Sequence, residues 1–179
     1  MKKIIFIVIV IVIAIFMYIN VNASAYDIVI PDKAIRVRVI ANSNSIYDQS
    51  MKMKVKEYVE KNISSSLVNV NSVEDARSII KDSIHDLDIN IKKIFDAYDY
   101  HMEYNIHFGD NYFPSKDYKV IHYDEGEYES LVITIGKGEG DNWWCVLFPP
   151  LCLLEADDNN TDDVEYQFFA QKIIDKIFS

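Results

Sequence analysis

Basic residues are scarce in this chain of 179 residues, which carries 18 lysines and arginines against 28 aspartates and glutamates. The formal net charge is −10 with histidine neutral. Binding to nucleic acid or to anionic lipid depends on clustered Lys and Arg side chains that neutralise phosphate groups. The composition therefore excludes DNA, RNA and anionic lipid surfaces as partners.

The sequence also lacks the patterns of common catalytic and metal sites. No Ser-His-Asp site emerges, because Ser43 and Ser45 lie at a predicted helix cap and His85 lies on a predicted helix. His101 and His107 fall on one predicted strand about 20 Å apart, at about 3.3 Å per residue, too far to hold one metal ion. We expect surface histidines, no catalytic residue, no metal and no cofactor.

Two loops imitate ligand sites without completing them. Gly136, Gly138 and Gly140 have the spacing G-x-G-x-G, but aromatic residues and prolines follow where a nucleotide site needs a helix. The acidic stretch 157–162 imitates a calcium loop, yet Asp162 stands where glycine is required. We interpret the first as a bending loop and the second as a solvated acidic linker.

An apolar run without charge, glycine or proline extends from Ile4 to Ile19, directly after two lysines. This pattern is typical of an export signal, and Ala23 and Ala25 supply the A-x-A arrangement that predicts cleavage after Ala25. As a helix the run reaches about 24 Å, short of the roughly 30 Å hydrocarbon core. The alternative is an uncleaved anchor, with membrane contact only through residues 4–19.

Residues 1–25 are therefore predicted to be a signal peptide or anchor, and residues 26–179 a single exported domain. Within that domain, residues 34–40 alternate β-branched side chains with Arg36 and Arg38, which predicts a strand. We interpret the two arginines as solvated charges, with a grip on an acidic partner as the alternative.

Two amphipathic helices are predicted next. Ser45 with Asp48 begins the first, and Ser72 with Asp75 begins the second, each as a capping box. Their apolar side chains recur at helical spacing, which predicts stripes that face a core. The stripes comprise Met51, Val55, Tyr58, Val59 and Asn62 in the first helix and Ala76, Ile79, Ile80, Ile84, Leu87, Ile91, Ile94 and Phe95 in the second.

Alternation with a period of two returns in the second half of the chain. It predicts strands at residues 100–108, 119–123 and 128–135, and helical capping precedes a last helix at residues 164–178. The order β-α-α-β-β-β-α predicts an α+β fold with helices on one face of a mostly antiparallel sheet.

Residues 142–152 (N-W-W-C-V-L-F-P-P-L-C) hold both tryptophans and both cysteines of the chain. In an exported protein, Cys145 and Cys152 are predicted to form a disulfide, which for an eight-residue loop stabilises the fold by about 2.5 kcal/mol. The alternative is a pair of buried thiols. The proline pair excludes a helix or an interior strand, so the chain must turn back or extend there.

The same segment is the candidate partner-binding site, because tryptophan is over-represented at protein interfaces. The alternative is that both tryptophans are core or sheet-capping aromatics. The candidate contact residues are Trp143, Trp144, Phe148, Pro149, Pro150 and Leu151.

Four segments resemble the stage II sporulation protein R family. They are residues 30–45 (I-P-D-K-A-I-R-V-R-V-I-A-N-S-N-S), 111–114 (N-Y-F-P), 126–131 (G-E-Y-E-S-L) and, above all, 142–152, in the family's order. The resemblance runs from about Ile30 to Cys152 and leaves out the acidic tail and the last helix. It supplies no residue-level functional assignment.

The resemblance implies a secreted signalling protein of endospore formation and not an enzyme. Such proteins are exported from the forespore into the space between the forespore and mother-cell membranes. There they activate a membrane-embedded aspartic protease that processes pro-sigma-E, and we expect the loop of residues 143–152 to present apolar side chains to its outer face, favouring its active state. The alternatives are a cell-wall hydrolase, which needs two converging carboxylates, and a structural anchored protein.

Overall fold

The computed structural model describes residues 11–12, 28–29, 33–118, 121–153 and 172–178. Within these ranges, no helix combines the length and the apolar composition that a membrane-spanning segment needs. Nearly all of the predicted leader, its cleavage site and the acidic linker lie outside the described residues. The division of the chain into a leader and one exported domain stays a prediction.

Seven strands and three helical segments are described. In chain order they are β1 (Ile28–Val29), β2 (Ile35–Ile40), α1 (Ile46–Tyr58) with a π-helical continuation (Val59–Ser64), α2 (Val73–Ala97), β3 (Tyr104–Phe113), β4 (Lys116–Tyr118), β5 (Ile121–Tyr123), β6 (Gly126–Ile135) and β7 (Asn142–Phe148). Residues 172–178 form α3. The first part of the predicted last helix lies outside the described ranges.

The main sheet has the strand order β3-β6-β2-β7. β3 pairs with β6 and β7 pairs with β2 in antiparallel fashion, whereas β2 and β6 are parallel. A parallel pair needs a long crossover connection, and α1 and α2 lie within the segment that joins β2 to β6. The predicted α+β class, the mostly antiparallel sheet and the element order are confirmed, and β1, β4 and β7 are additional strands.

Both predicted capping boxes begin a helix. The Ser45 hydroxyl accepts a hydrogen bond from the Asp48 backbone N–H at 3.1 Å, and the Ser72 hydroxyl accepts one from the Asp75 N–H at the same distance. Each bond satisfies a backbone donor that has no partner within the helix. The helix starts are therefore fixed locally by the sequence.

The core lies between the helices and one face of the main sheet. Alternate residues of β2 and β6 point toward the helices, whose apolar stripes meet them, and each fully buried side chain contributes about 1.5–3 kcal/mol. The core residues include Val37, Val39, Leu131 and Ile133 of the sheet, Met51 and Val55 of α1, and Ile80, Leu87 and Ile91 of α2. Ile174 of α3 is also buried.

A two-bond ion pair fastens α2 to β6. The Arg77 Nε and Nη2 atoms donate to the two carboxylate oxygens of Glu129 at 2.6 and 2.9 Å. Both side chains are partly exposed. This fork geometry fixes the lateral position of the helix N-terminus over the sheet.

The strand predicted at residues 100–108 begins and ends later than expected. Tyr100 belongs to the turn after α2, where its ring packs edge-on against Phe95 with centroids 4.8 Å apart. β3 instead continues beyond residue 108 as far as Phe113, because residues 109–113 pair with Gly126 to Ser130 of β6. The alternation of apolar and polar residues begins before the strand does, and pairing with β6 extends the strand at its other end.

The glycine loop between β6 and β7 is locked onto the segment that follows β2. Asn42 accepts a bond from the Lys137 N–H at 3.0 Å, and Asn44 accepts one from the Asp141 N–H at 2.6 Å. At Gly140, an added Cβ would lie 2.3 Å from the Ser43 carbonyl oxygen. The predicted bending loop is therefore a close backbone contact that sets where β7 begins.

Candidate partner-binding site

The alternation of β7 places its two tryptophans on opposite faces of the sheet. Trp143 is opposite Val39, which faces the helices, and Trp144 is opposite Arg38. Trp143 is half-buried against the core, and the Lys56 Nζ lies 5.5 Å from its ring centroid. The two adjacent tryptophans therefore lie in different surroundings.

Trp144 belongs to an aromatic and cationic cluster on the face away from the helices. The Arg38 Cζ lies 4.2 Å from its ring centroid, and the Phe113 ring meets it edge-on at 5.0 Å. With its amide oriented to satisfy both neighbours, Asn142 accepts a bond from Arg38 Nη2 at 2.8 Å. Burial lowers the pKa of the Arg38 guanidinium. The side chains here hold one another in place.

Arg36 is buried in the same cluster, with 3% of its surface exposed. Its Cζ lies 3.3 Å from the Tyr128 ring centroid and 5.6 Å from that of Phe113. The interpretation of Arg36 as a solvated charge is wrong, and Arg38 is also partly buried. Aromatic faces attract a guanidinium that has lost water, which offsets part of the cost of burying it.

The strand ends at the prolines, as their chemistry requires. The Phe148–Pro149 peptide bond is cis, and the Leu151 N–H donates to the Pro149 carbonyl at 2.7 Å. The chain thus turns back, and Cys145 and Cys152 form the predicted disulfide with their Cα atoms 5.6 Å apart. Both cysteines are buried.

Four of the six candidate contact residues lie in the interior. Phe148 is fully buried and Leu151 is 1% exposed, and Pro149 and Pro150 are buried as well. Because the disulfide-closed loop folds inward, only Trp143 and Trp144 of the six retain accessible surface in this structure. Partner binding by these residues stays a prediction, and the apolar loop contributes to the core.

Sequence reasoning identified Asp48 only as part of a helix cap, but it is the centre of a buried polar cluster. It accepts bonds from the Tyr100 hydroxyl and the Ser43 hydroxyl, each at 2.5 Å, and from the Asn42 amide at 2.9 Å. Burial raises the pKa of the carboxyl, but the bonds from Ser43, Tyr100, Asn42 and Ser45 outweigh it and hold the pKa below its usual value. No periodicity in the sequence links residues 48 and 100.

The histidines are placed as predicted. His101 and His107 are exposed, and His101 Nε2 lies 2.9 Å from an Asp99 carboxylate oxygen. Within the described residues, no group of three or more His, Cys, Asp or Glu side chains is arranged to hold a metal ion.

Known proteins resemble this chain across its described core. Residues 31–158 match the model of the family described as stage II sporulation protein R. The chain is 40% identical over 128 residues to the stage II sporulation protein R of Bacillus subtilis strain 168, covering 72% of this chain and 57% of that protein. The chain thus spans a little more than half the length of this curated relative. No solved structure matches.

Proposed function

The chain belongs to the stage II sporulation protein R family, and from that premise we propose that it is an exported messenger of endospore formation. It acts in the space between the forespore and mother-cell membranes. There it activates a membrane-embedded aspartic protease that processes pro-sigma-E. The observation that carries this proposal is the family match over residues 31–158.

Two features support a site of action outside the cytoplasm. The run from Ile4 to Ile19 after two lysines has the composition of an export signal. The Cys145–Cys152 disulfide belongs to a class of bond that persists in oxidising compartments and is rare where thiols are kept reduced. The domain lies outside the cytoplasmic membrane whether the leader is cleaved or is retained as an anchor.

The surroundings of the buried carboxylates favour a messenger over a cell-wall hydrolase. A glycosidase acid needs a carboxyl whose pKa is raised, so that it carries a proton at working pH. Asp48 has the opposite shift, since its hydrogen bonds lower its pKa. Glu60, which is also buried, lies 2.8 Å from the Lys56 ammonium. Neither of these two buried carboxylates therefore has the surroundings that a glycosidase acid needs.

The test is reconstitution of the exported protein with membranes that contain the candidate protease and its pro-sigma-E substrate. We expect cleavage of the pro-sequence to depend on added protein and to saturate with its concentration. Absence of cleavage with a folded, disulfide-bonded protein would refute the proposal. A parallel zymogram on purified cell wall distinguishes the hydrolase, for which clearing by the same preparation is the positive result.

A further inference from the structure

Four exposed apolar side chains lie at the start of α1 and in the segment that follows α2. Ile46 and Tyr47 lie on the first turn of α1, Tyr98 directly follows α2, and Met102 lies in the turn before β3. Their exposed fractions are 91, 48, 46 and 42%. We call these four residues the apolar end patch.

A hydrogen bond joins the two tyrosines of the apolar end patch. The Tyr47 hydroxyl donates to the Tyr98 backbone carbonyl, and the Tyr47 ring meets the Tyr100 ring edge-on at 5.4 Å. Tyr100 is buried and bonded to Asp48, so both segments rest on a fixed base. Met102 lines an open pocket of about 590 Å³ with Ser43, on the segment that leads into α1. The patch is therefore an ordered surface.

Ile46 lies almost wholly outside the core, with 91% of its surface exposed. It occupies the first helical residue, where a polar or acidic side chain complements the positive end of the helix. Tyrosine and methionine, which supply the other three residues of the apolar end patch, are enriched at protein interfaces. A patch of exposed apolar side chains, unlike a single one, is a mark of contact with another molecule.

The charges around the apolar end patch indicate the kind of partner. Exposed carboxylates of Asp96, Asp99 and Glu103 flank it. Lys54 lies over the Tyr98 ring at 4.1 Å, and Lys137 lines the same open pocket as Met102. Acidic groups predominate locally, as they do in the whole chain at −10. A complementary surface has an apolar centre and a basic rim.

We infer that the apolar end patch is the surface by which this protein binds its receptor, a protein whose outward face is apolar at its centre and basic at its rim. The inference rests on the proposed function, since the receptor is the activated protease. It deepens that function by moving the contact from residues 143–152, which are largely buried, to the start of α1 and the segment that follows α2. Binding there can favour the receptor's active state only if that state fits the patch better.

The test compares patch variants with variants of exposed apolar residues elsewhere on the surface. Ile46→Ser with Met102→Gln removes two patch side chains without touching the core. Val68→Ser with Ile89→Gln is the matched control, because those side chains are 50 and 37% exposed. Each full-length protein, after export, is titrated against membranes with and without the candidate protease, and both binding and pro-sigma-E cleavage are measured.

We expect the patch variant to bind about tenfold more weakly or worse, as for truncation of central interface residues, with the control within about twofold of wild type. Asp96→Asn with Glu103→Gln should weaken binding most at low salt, because charges at an interface rim act mainly on association. Circular dichroism and denaturation midpoints verify that each variant folds.

The possible outcomes distinguish failure of the inference from failure of the proposed function. If wild type stimulates cleavage and the patch variant matches its control, the inference is overturned and the proposed function stands. If wild type neither binds nor stimulates, the proposed function fails and the inference with it. Loss of self-association, or of binding to zwitterionic lipid vesicles, without loss of receptor binding would assign the patch to another occupant and overturn the inference.

Discussion

Removal of the buried Asp48 carboxylate tests whether the polar cluster stabilises the contact between α1 and the segment that follows α2. Asp48→Ala eliminates the bonds from the Tyr100 hydroxyl, the Ser43 hydroxyl and the Asn42 amide. A hydrogen bond to a charged group contributes about 1.5–3 kcal/mol, but Ser43 and Asn42 are part-exposed and can bond water instead. Tyr100 is 5% exposed and cannot do so freely. We therefore expect a loss of about 3 kcal/mol.

Chemical denaturation at neutral pH measures this loss directly. Asp82→Ala is the matched control, because Asp82 is an exposed aspartate in the middle of α2, and it should change the free energy of unfolding by less than about 0.5 kcal/mol. Tyr100→Phe removes one bond from the same cluster. A double-mutant cycle between residues 48 and 100 should give a coupling of about 1 kcal/mol or more. Equal costs for Asp48→Ala and Asp82→Ala would refute the argument.

The same cluster predicts a pH dependence of fixed sign. The folded-state pKa of Asp48 lies below its unfolded value, which is about 3.9. Its contribution is therefore complete above about pH 5 and is lost as pH falls through the folded-state pKa. The difference in unfolding free energy between wild type and Asp48→Ala should shrink between pH 5 and pH 2. A difference that grows on acidification would contradict the assigned shift.

Three further predictions concern the disulfide, the ion pair and the glycine loop. Cys145→Ala with Cys152→Ala should lower the free energy of unfolding by about 2.5 kcal/mol, as should reduction of wild type, and equal stabilities would contradict the contribution of the bond. Arg77→Leu should cost only about 1 kcal/mol in denaturation, because the pair is part-exposed. Gly140→Ala should cost more than about 2 kcal/mol, because its Cβ would meet a backbone oxygen at 2.3 Å, whereas Gly126→Ala meets a tyrosine side chain at 3.3 Å and should cost less in the same assay.

Local chemistry made much of the fold predictable. The capping boxes at Ser45 and Ser72 act through bonds three residues apart, so they are visible in the sequence. The stripe on α2 keeps helical spacing through Phe95, and burial follows it. The disulfide was predictable because Cys145 and Cys152 are close in sequence, with a proline turn between them.

The parts that depend on distant partners were not predictable. Arg36 alternates with β-branched residues as a solvated charge would, and its aromatic surroundings come from Tyr128 and Phe113, which belong to other strands. Likewise, β3 begins later than predicted because the Tyr100 hydroxyl donates a hydrogen bond to Asp48, which lies 52 positions earlier in the chain. A period of two in the sequence predicts which face of the sheet a side chain occupies. It does not predict which side chains from other strands pack on that face.

The candidate site illustrates the same limit. Composition drew attention to residues 142–152, where both tryptophans, both cysteines and a proline pair coincide. In the structure these residues form an edge strand and an inward-folded loop, in which residues 145–152 are buried and Trp143 and Trp144 keep accessible surface. The apolar end patch gave no such signal, because Tyr47 and Tyr98 are far apart in sequence and meet only through the fold.

The proposed function requires that this protein act outside the membrane, after a leader formed by its first residues has carried it across. The most direct test is pro-sigma-E processing in cells that hold the candidate protease and its substrate. One set of cells expresses the full chain and the other a variant that lacks residues 4–19, at matched levels. We predict mature sigma factor with the full chain and only the precursor with the leaderless variant; equal processing in both would contradict the account.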